Sequence, residues 1–91
     1  MADTTPETKT VQLMVRATCG SCERVRRQIT PVIAQAGARM EVIDVDKPPA
    51  AYAGENLAAE FGDRVPVVVI DDEEFACWEV DNEELAAELA I

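Results

Sequence analysis

The chain has 91 residues and a formal net charge of -10, from 8 basic and 18 acidic side chains. This length suits one small domain. The acidic balance argues against nucleic acid or an anionic membrane as a partner, because both need a basic surface. No histidine is present, which excludes serine–histidine or cysteine–histidine catalysis within one chain, and histidine metal ligands.

The polar N-terminal stretch predicts a disordered tail over residues 1–9, followed by one domain over residues 10–91. It lacks the apolar segment of a secretory signal, and no apolar run approaches the roughly 20 residues that span a bilayer. Three cysteines are an odd number, which does not fit a structural disulfide framework. We therefore expect a cytoplasmic, monomeric protein that does not enter a membrane.

The first half of the chain has the pattern of a strand, a helix and a second strand. Thr10–Ala17 has an apolar, β-branched centre, which predicts a strand. Apolar positions at helical spacing follow Cys22, and Gly37 is placed to end that helix. Pro31 lies inside the helix and is expected to kink it. Arg39–Asp46 alternates between polar and apolar residues, as a strand does.

The second half adds a helix, a hairpin and a last helix. Ala50–Phe61 is rich in alanine, with apolar residues at helical spacing that predict a helix. Val65–Ile70 is a continuous apolar run, typical of a strand covered on both faces. An acidic turn follows, and Glu74–Glu79 is expected to complete a hairpin. Asp81–Ile91 predicts the last helix, with Asp81 as its N-cap.

This order, β-α-β-α-β-β-α, predicts an α/β fold. The initial βαβ unit requires two parallel strands joined by a right-handed crossover. The last two strands form an antiparallel hairpin. A mixed four-stranded sheet with helices on both faces accommodates both requirements.

Cys19 and Cys22 lie where the first strand gives way to the first helix, separated by Gly20 and Ser21. A helix N-terminus has free N–H groups and a partial positive charge, which stabilise a thiolate and lower the pKa of the thiol. The thiolate is the nucleophile in disulfide exchange. We therefore predict that Cys19 is the exposed attacking sulfur. Cys22, more shielded and within reach of it, would resolve the mixed disulfide.

Other interpretations of these residues stay open. Zinc sites use the same cysteine spacing but need more ligands than Cys77 can add, and a pair without redox activity also fits the sequence. Cys77 is expected in the core, whereas Trp78 either fills the core in part or contacts a substrate. The basic cluster of Arg24, Arg26 and Arg27 forms a solvated helix face or favours a thiolate nearby.

Val65 and Pro66 open the buried strand of the second half. A proline cannot donate to the hydrogen-bond ladder, so we expect it at the start of the strand. The sequence alone allows either a cis or an ordinary trans peptide bond at this proline.

Three motifs carry a resemblance: CGSC at Cys19–Cys22, EVIDVD at Glu41–Asp46 and RVPVVVIDDEEF at Arg64–Phe75. Together they resemble the glutaredoxin branch of the thioredoxin superfamily, and most of all the small glutaredoxin-like proteins of bacteria. The resemblance extends over Val11–Leu89. It implies a thioredoxin-like fold of glutaredoxin size and a thiol–disulfide oxidoreductase that takes part in cell redox homeostasis.

The resemblance also implies roles for single residues. Cys19 matches the catalytic nucleophile and Cys22 the resolving thiol. Pro66 matches the cis-proline that faces them, and the backbone of Val65 would pair with an extended thiol substrate, as in strand addition. Thr18, immediately before the nucleophile, would line the same groove.

The chain departs from the family pattern at several positions. Gly20 and Ser21 stand where a Pro-Tyr pair is common, and the segment 77–79 replaces a Gly-Gly stretch. By this resemblance, Asp81 would correspond to the acidic residue that holds the amino group of glutathione. The resemblance implies no metal and no tightly bound cofactor. It leaves glutathione, another low-molecular-weight thiol and a protein disulfide open as co-substrates.

Two functions of other classes are alternatives. The first is a metal or iron–sulfur carrier that uses Cys19 with an external thiol at a dimer interface. The second is a binding module that kept the fold and lost turnover. Its acidic surface between Asp71 and Glu88 would then steer basic partners.

Overall fold

The computed structural model describes residues 9–52 and 54–90. The tail predicted over residues 1–9 lies outside these ranges except for Lys9, whose carbonyl accepts a hydrogen bond from the Arg39 N–H at 2.9 Å. The described chain forms four strands and three α-helices. In chain order these are β1 (Thr10–Val15), α1 (Gly20–Gln35), β2 (Arg39–Asp44), α2 (Leu57–Phe61), β3 (Val67–Ile70), β4 (Glu73–Cys77) and α3 (Asn82–Leu89).

The four strands form one mixed sheet in the order β2-β1-β3-β4. β1 pairs with β2 in parallel, and their connection through α1 is the expected βαβ unit. β3 pairs antiparallel with both β1 and β4. The predicted element order and the mixed four-stranded sheet are therefore confirmed.

Apolar side chains pack on both faces of the sheet, because successive strand residues point to opposite sides. One core lies between the sheet and helices α1 and α3. Its buried members are Val11, Leu13, Val25, Ile29, Ile33, Val68, Ile70, Val80, Leu85 and Leu89. A second core lies on the α2 face. Its buried members are Met14, Ile43, Val45, Leu57, Phe61, Val67 and Val69.

The helix predicted over Ala50–Phe61 is wrong in extent. A short 3₁₀ helix covers Ala50–Tyr52, and α2 begins anew at Leu57. The Asn56 side chain accepts a hydrogen bond from the Ala59 N–H at 3.1 Å and thereby caps a new helix. This capping residue divides the alanine-rich stretch, although its composition alone favours one continuous helix.

All four strands described also differ at their ends from the sequence prediction, and β4 covers Glu73–Cys77 instead of Glu74–Glu79. β1 ends at Val15, and β2 ends at Asp44, where the side chain accepts a hydrogen bond from the Asp46 N–H at 2.9 Å. This bond turns the chain away from the sheet. β3 begins at Val67, one residue after Pro66, which has no N–H to donate to a ladder.

Helix α1 has well-defined ends, and Cys19 and Cys22 lie at its N-terminus. Its C-terminus is closed by hydrogen bonds from Gly37 N–H to Ala34 O and from Ala38 N–H to Ile33 O, both 3.1 Å. Gly37 has a φ of 71°, as its predicted role in ending the helix requires. Pro31 lies within the helix, which is continuous through it.

The β3–β4 hairpin contains a turn that stores strain. Asp71 and Asp72 have φ values of 54° and 65°, which is the pattern of a type I′ turn, where Asn-Gly is preferred. We expect Asp72→Gly to raise the free energy of unfolding by about 0.5–1 kcal/mol, because glycine adopts positive φ without a Cβ clash. Urea denaturation measures the change. Asp72→Ala removes the same carboxylate but keeps the Cβ, so equal stability of both variants would contradict this explanation.

Candidate active site

Cys19 and Cys22 form the start of helix α1. Cys19 is its N-cap residue, and its Sγ accepts a hydrogen bond from the Cys22 N–H at 3.1 Å. The two Cα atoms are 5.4 Å apart and the two sulfurs are joined as a disulfide. Cys19 is half-buried, whereas Cys22 is only 4% exposed. The more accessible sulfur thus lies at the helix N-terminus, where backbone N–H groups favour a thiolate.

The start of β3 faces this pair. β1 and β3 are antiparallel, with Met14 opposite Val67, so the end of β1 and the beginning of β3 meet at one edge of the sheet. The carbonyl oxygen of Val65 lies 3.9 Å from the Cys19 Sγ. The Val65–Pro66 peptide bond is cis, and the Pro66 side chain is fully buried. The topology therefore places three predicted site residues, Cys19, Val65 and Pro66, side by side.

A groove of about 250 Å³ opens beside the disulfide, on the side of β1 and β2. It is bounded by the end of β1, the first turns of α1 and the middle of β2. Its lining residues are Val15, Arg16, Ala17, Cys19, Cys22, Glu23, Arg26 and Val42. Both sulfur-bearing residues therefore border a space that could receive part of a substrate.

Arg16 lies in this groove, and the sequence prediction did not include it among the site residues. Its guanidinium forms two hydrogen bonds with the Asp46 carboxylate, at 3.0 and 3.1 Å. A third, at 3.3 Å, reaches the Gly62 carbonyl. Asp46 raises the pKa of Arg16 through this pairing. The available signal was a basic residue three positions before the first cysteine, but its partners come from distant loops.

Gly62 leaves room for the Arg16 side chain. A Cβ at position 62 would overlap the Ala58 carbonyl oxygen and lie 3.0 Å from the Arg16 Cζ. We expect Gly62→Ala to lower the free energy of unfolding by about 1–3 kcal/mol, because backbone must move to relieve the overlap.

Denaturation of Gly62→Ala alongside Gly54→Ala provides a matched comparison. A Cβ at Gly54 meets nothing within 4 Å, so that variant is expected to stay within about 0.5 kcal/mol of the wild type. Equal losses in both variants would show that the space at Gly62 has no special importance.

The predicted basic cluster is partly neutralised within helix α1. Glu23 accepts hydrogen bonds from Arg26 and Arg27, each at 3.2 Å, and these two partners lower the pKa of the Glu23 carboxyl. All three pairing side chains are exposed, so the ion pairs contribute little to stability. The cluster therefore forms mainly a solvated helix face, although it leaves a net positive charge near the cysteines.

The two remaining predicted substrate-binding residues occupy different places. Thr18 is exposed in the turn before Cys19 and thus borders the pair. Asp81 caps α3, where its carboxylate accepts hydrogen bonds from the N–H groups of Glu83 and Glu84 at 2.8 and 3.1 Å. Asp81 follows Val80, whose carbonyl accepts a hydrogen bond from Gln28, nine residues beyond Cys19. Its carboxylate is therefore already engaged as a helix cap.

Trp78 does not fill the core, which was one of its two interpretations from the sequence, because 57% of its surface is exposed. Cys77 is half-buried and packs against the core on the α2 face. A register shift between Val68 and Val69 places an extra residue in β4, so strict alternation fails there. A bulge of this kind has no clear signal in the sequence.

None of the helices within 9–52 and 54–90 is long and apolar enough to cross a membrane. In the same part of the chain, no three cysteine, aspartate or glutamate residues come together in a way that could hold a metal ion.

Relatives of this chain include two mycobacterial proteins. They are the uncharacterized protein Rv0508 of Mycobacterium tuberculosis and the uncharacterized protein Mb0520 of Mycobacterium bovis. Each is 44% identical to this chain over 80 residues. The match covers 88% of this chain and 81% of each relative.

Solved structures resemble the fold. Protein Ne2328 from Nitrosomonas europaea has a TM-score of 0.72 and 23% identity, over 94% of this chain and 96% of that one. A mutant thioredoxin from Halobacterium salinarum has a TM-score of 0.62 and 22% identity, over 91% of this chain and 73% of the thioredoxin. This likeness confirms the expected thioredoxin-like fold. The family model described as a glutaredoxin-like domain (DUF836) matches residues 10–90, and the chain therefore belongs to this glutaredoxin-like family.

Proposed function

We propose that this protein is a thiol–disulfide oxidoreductase that uses Cys19 as the nucleophile and Cys22 as the resolving thiol. The observation that carries the proposal is the position of the pair. The half-buried Cys19 Sγ lies at the N-terminus of α1, 3.9 Å from the Val65 carbonyl oxygen. A sulfur in this position is stabilised as a thiolate and remains open to a substrate disulfide.

The proposed cycle transfers two electrons from a thiol donor to a substrate disulfide. The Cys19 thiolate attacks one sulfur of a substrate disulfide, forms a mixed disulfide and releases the other sulfur as a thiolate. The Cys22 thiol loses its proton to solvent and attacks the Cys19 Sγ. This step forms the Cys19–Cys22 disulfide and releases the second substrate thiolate. Two thiols of a donor, or one dithiol, then reduce the pair and become oxidised to a disulfide.

Val65 is proposed to align the substrate. It lies two residues before the first residue of β3 and so precedes the paired part of that strand. An extended substrate could therefore add to this edge through backbone hydrogen bonds, as in strand addition. Thr18 would line the same side of the pair. We propose a reducing compartment such as the cytoplasm as the setting, because the cycle needs a supply of thiols.

A reduction assay on a small disulfide, with several donors, tests the proposal. The donors are glutathione, a second monothiol, a dithiol and a reductase coupled to a pyridine nucleotide. At least one donor is expected to support repeated turnover by the wild type above the uncatalysed rate. No turnover with any donor, together with a Cys19–Cys22 pair that never re-forms its disulfide, would contradict the proposal.

Measurements on the same purified protein distinguish the oxidoreductase from the two alternative functions. Colour or bound metal in protein purified without oxygen would favour the metal or iron–sulfur carrier. Undiminished partner binding by a Cys19→Ser, Cys22→Ser double variant would favour the binding module. A colourless, metal-free protein with a reversible disulfide supports the oxidoreductase.

A further inference from the structure

The two large apolar side chains that are exposed in the described part of the chain lie on opposite sides of the disulfide. Trp78 is 57% exposed and Val42 is 43% exposed. Val42 lies in β2 and lines the groove that borders both cysteines. Trp78 follows β4, and its N–H donates a hydrogen bond to the Pro66 carbonyl at 2.9 Å. The disulfide is thus flanked by apolar surface at both edges of the sheet.

The backbone at Trp78 adopts an unusual conformation. Its φ is 67°, and the Glu79 N–H donates to the Cys77 carbonyl at 2.8 Å, which closes a γ-turn around Trp78. γ-turns with positive φ are rare and strained, and bulky side chains seldom adopt them. Strain of this kind clusters at functional sites. Here it occurs where the backbone of an exposed, large aromatic residue is hydrogen-bonded to Pro66.

The distance between the two apolar contacts indicates the size of the partner. Val42 belongs to β2 and Trp78 follows β4, so they are separated by three strand spacings in the order β2-β1-β3-β4. At about 4.8 Å per spacing this separation is roughly 14 Å. An extended polypeptide covers it with about four or five residues at 3.3–3.6 Å each. A polypeptide is therefore the partner that reaches both contacts while its cysteine meets Cys19.

Charge favours a basic polypeptide. The chain carries a net charge of -10. The segment that follows Trp78 presents exposed acidic side chains, namely those of Glu79, Asp81 and Glu83. Complementary charge speeds the encounter of such surfaces and selects among partners.

From these observations we propose that Trp78, with Val42, is a substrate-specificity residue that binds an extended protein disulfide. The preferred segment has an apolar residue two positions to each side of its cysteine, a separation of about 14 Å in an extended chain, and basic residues outside them. This inference rests on the proposed oxidoreductase function and names its substrate class. The Trp78 indole would pack on the apolar residue two positions to one side of the substrate cysteine, and Val42 on the residue two positions to the other side.

The test compares a peptide disulfide with a small one. The probes are a synthetic peptide disulfide with leucine two positions to each side of the cysteine and lysine at both ends, the same peptide with glutamate ends, and hydroxyethyl disulfide. For Trp78→Gly, which removes the ring and relieves the positive φ, we expect KM for the lysine peptide to rise about tenfold. The rate with hydroxyethyl disulfide should stay unchanged. Trp78→Phe should restore most of the affinity, and the nearly isosteric Val42→Thr should raise KM about threefold.

A second readout uses the chain's single tryptophan. In the Cys22→Ser variant, a trapped mixed disulfide with the lysine peptide should shift the fluorescence of Trp78 to shorter wavelength. A trapped hydroxyethyl thiol should produce no such shift. This measurement reports contact at Trp78 independently of turnover.

The outcomes are distinct. Equal losses on the peptide and the small disulfide would assign Trp78 a structural role and overturn the inference. No loss on either, no fluorescence shift, or a preference for the glutamate peptide would overturn it as well. In all of these cases hydroxyethyl disulfide is still reduced by the wild type. If the wild type reduces none of the three probes, the proposed function itself fails.

Discussion

The Cys19→Ser variant is expected to lose disulfide reduction, by about 10³-fold or more relative to the wild type. A serine hydroxyl is a far weaker nucleophile than a thiolate at neutral pH, and the other thiol of the pair, Cys22, is only 4% exposed. The initial rate of reduction of a small disulfide, with the donor that supports the wild type, measures the loss.

Cys22→Ser separates the two proposed roles. It keeps the more accessible sulfur at the N-cap of α1 but removes the thiol that would resolve the mixed disulfide. We expect this variant to react once with a substrate disulfide and then accumulate a covalent adduct on Cys19, visible as a mass increase that a dithiol reverses. An adduct on Cys22 in the Cys19→Ser variant, formed at a similar rate, would reverse the assignment of the two cysteines.

Cys77→Ala is the matched control for both variants. Cys77 is the remaining cysteine, half-buried against the core on the α2 face, and the proposed cycle does not use it. Its replacement is expected to leave the rate within about twofold of the wild type, since a change of that size corresponds to only about 0.4 kcal/mol in the barrier. A large loss of activity in folded Cys77→Ala protein would require a third redox thiol.

The second large effect is expected in the core beneath the site. Leu13 is fully buried at the centre of β1, between Val42 of β2 and Val68 of β3. We expect Leu13→Ala to lower the free energy of unfolding by about 2–5 kcal/mol, from lost apolar burial and the cavity left behind. Domains of this kind are stable by only about 5–15 kcal/mol, so the loss is a large fraction of the total. Denaturation followed by circular dichroism measures it.

Val42→Ala provides a neighbouring comparison for this substitution. Val42 lies directly opposite Leu13 in the ladder, yet it is 43% exposed. Its truncation removes less buried surface and is expected to cost less than about 1 kcal/mol. Similar losses at the two positions would contradict the assignment of Leu13 to a closely packed core.

Most of the fold follows from patterns that are local in the sequence. The continuous apolar run of β3 is buried on both faces, as predicted, because cores lie on each side of the sheet. Asp81 caps α3 through its side chain, which the position of Asp81 before the helix predicts. The sequence around Cys19 and Cys22 likewise predicts their observed position between the first strand and the first helix. These features depend on residues a few positions apart.

Where the structure differs from the sequence predictions, the cause is a contact or a cap that a local sequence pattern does not reveal. The extra residue in β4 changes which faces its side chains occupy, and the exposed Trp78 lies after the end of that strand, where its φ is positive. Arg16 enters the groove because Asp46 and Gly62, both far away in the chain, hold its guanidinium. In α2 a single side-chain cap at Asn56 overrides the helical composition before it. In each case one tertiary or capping interaction outweighs the average preference of the segment.

The most direct test of the central claim is the pH dependence of Cys19 alkylation in the fully reduced protein. The rate of iodoacetamide addition to the Cys19 peptide, followed by mass spectrometry, reports the fraction of thiolate at that sulfur. The position of Cys19 at the N-terminus of α1 predicts half-maximal reactivity at a lower pH than for a free cysteine peptide measured in parallel. Half-maximal reactivity at or above that of the free peptide would contradict the account.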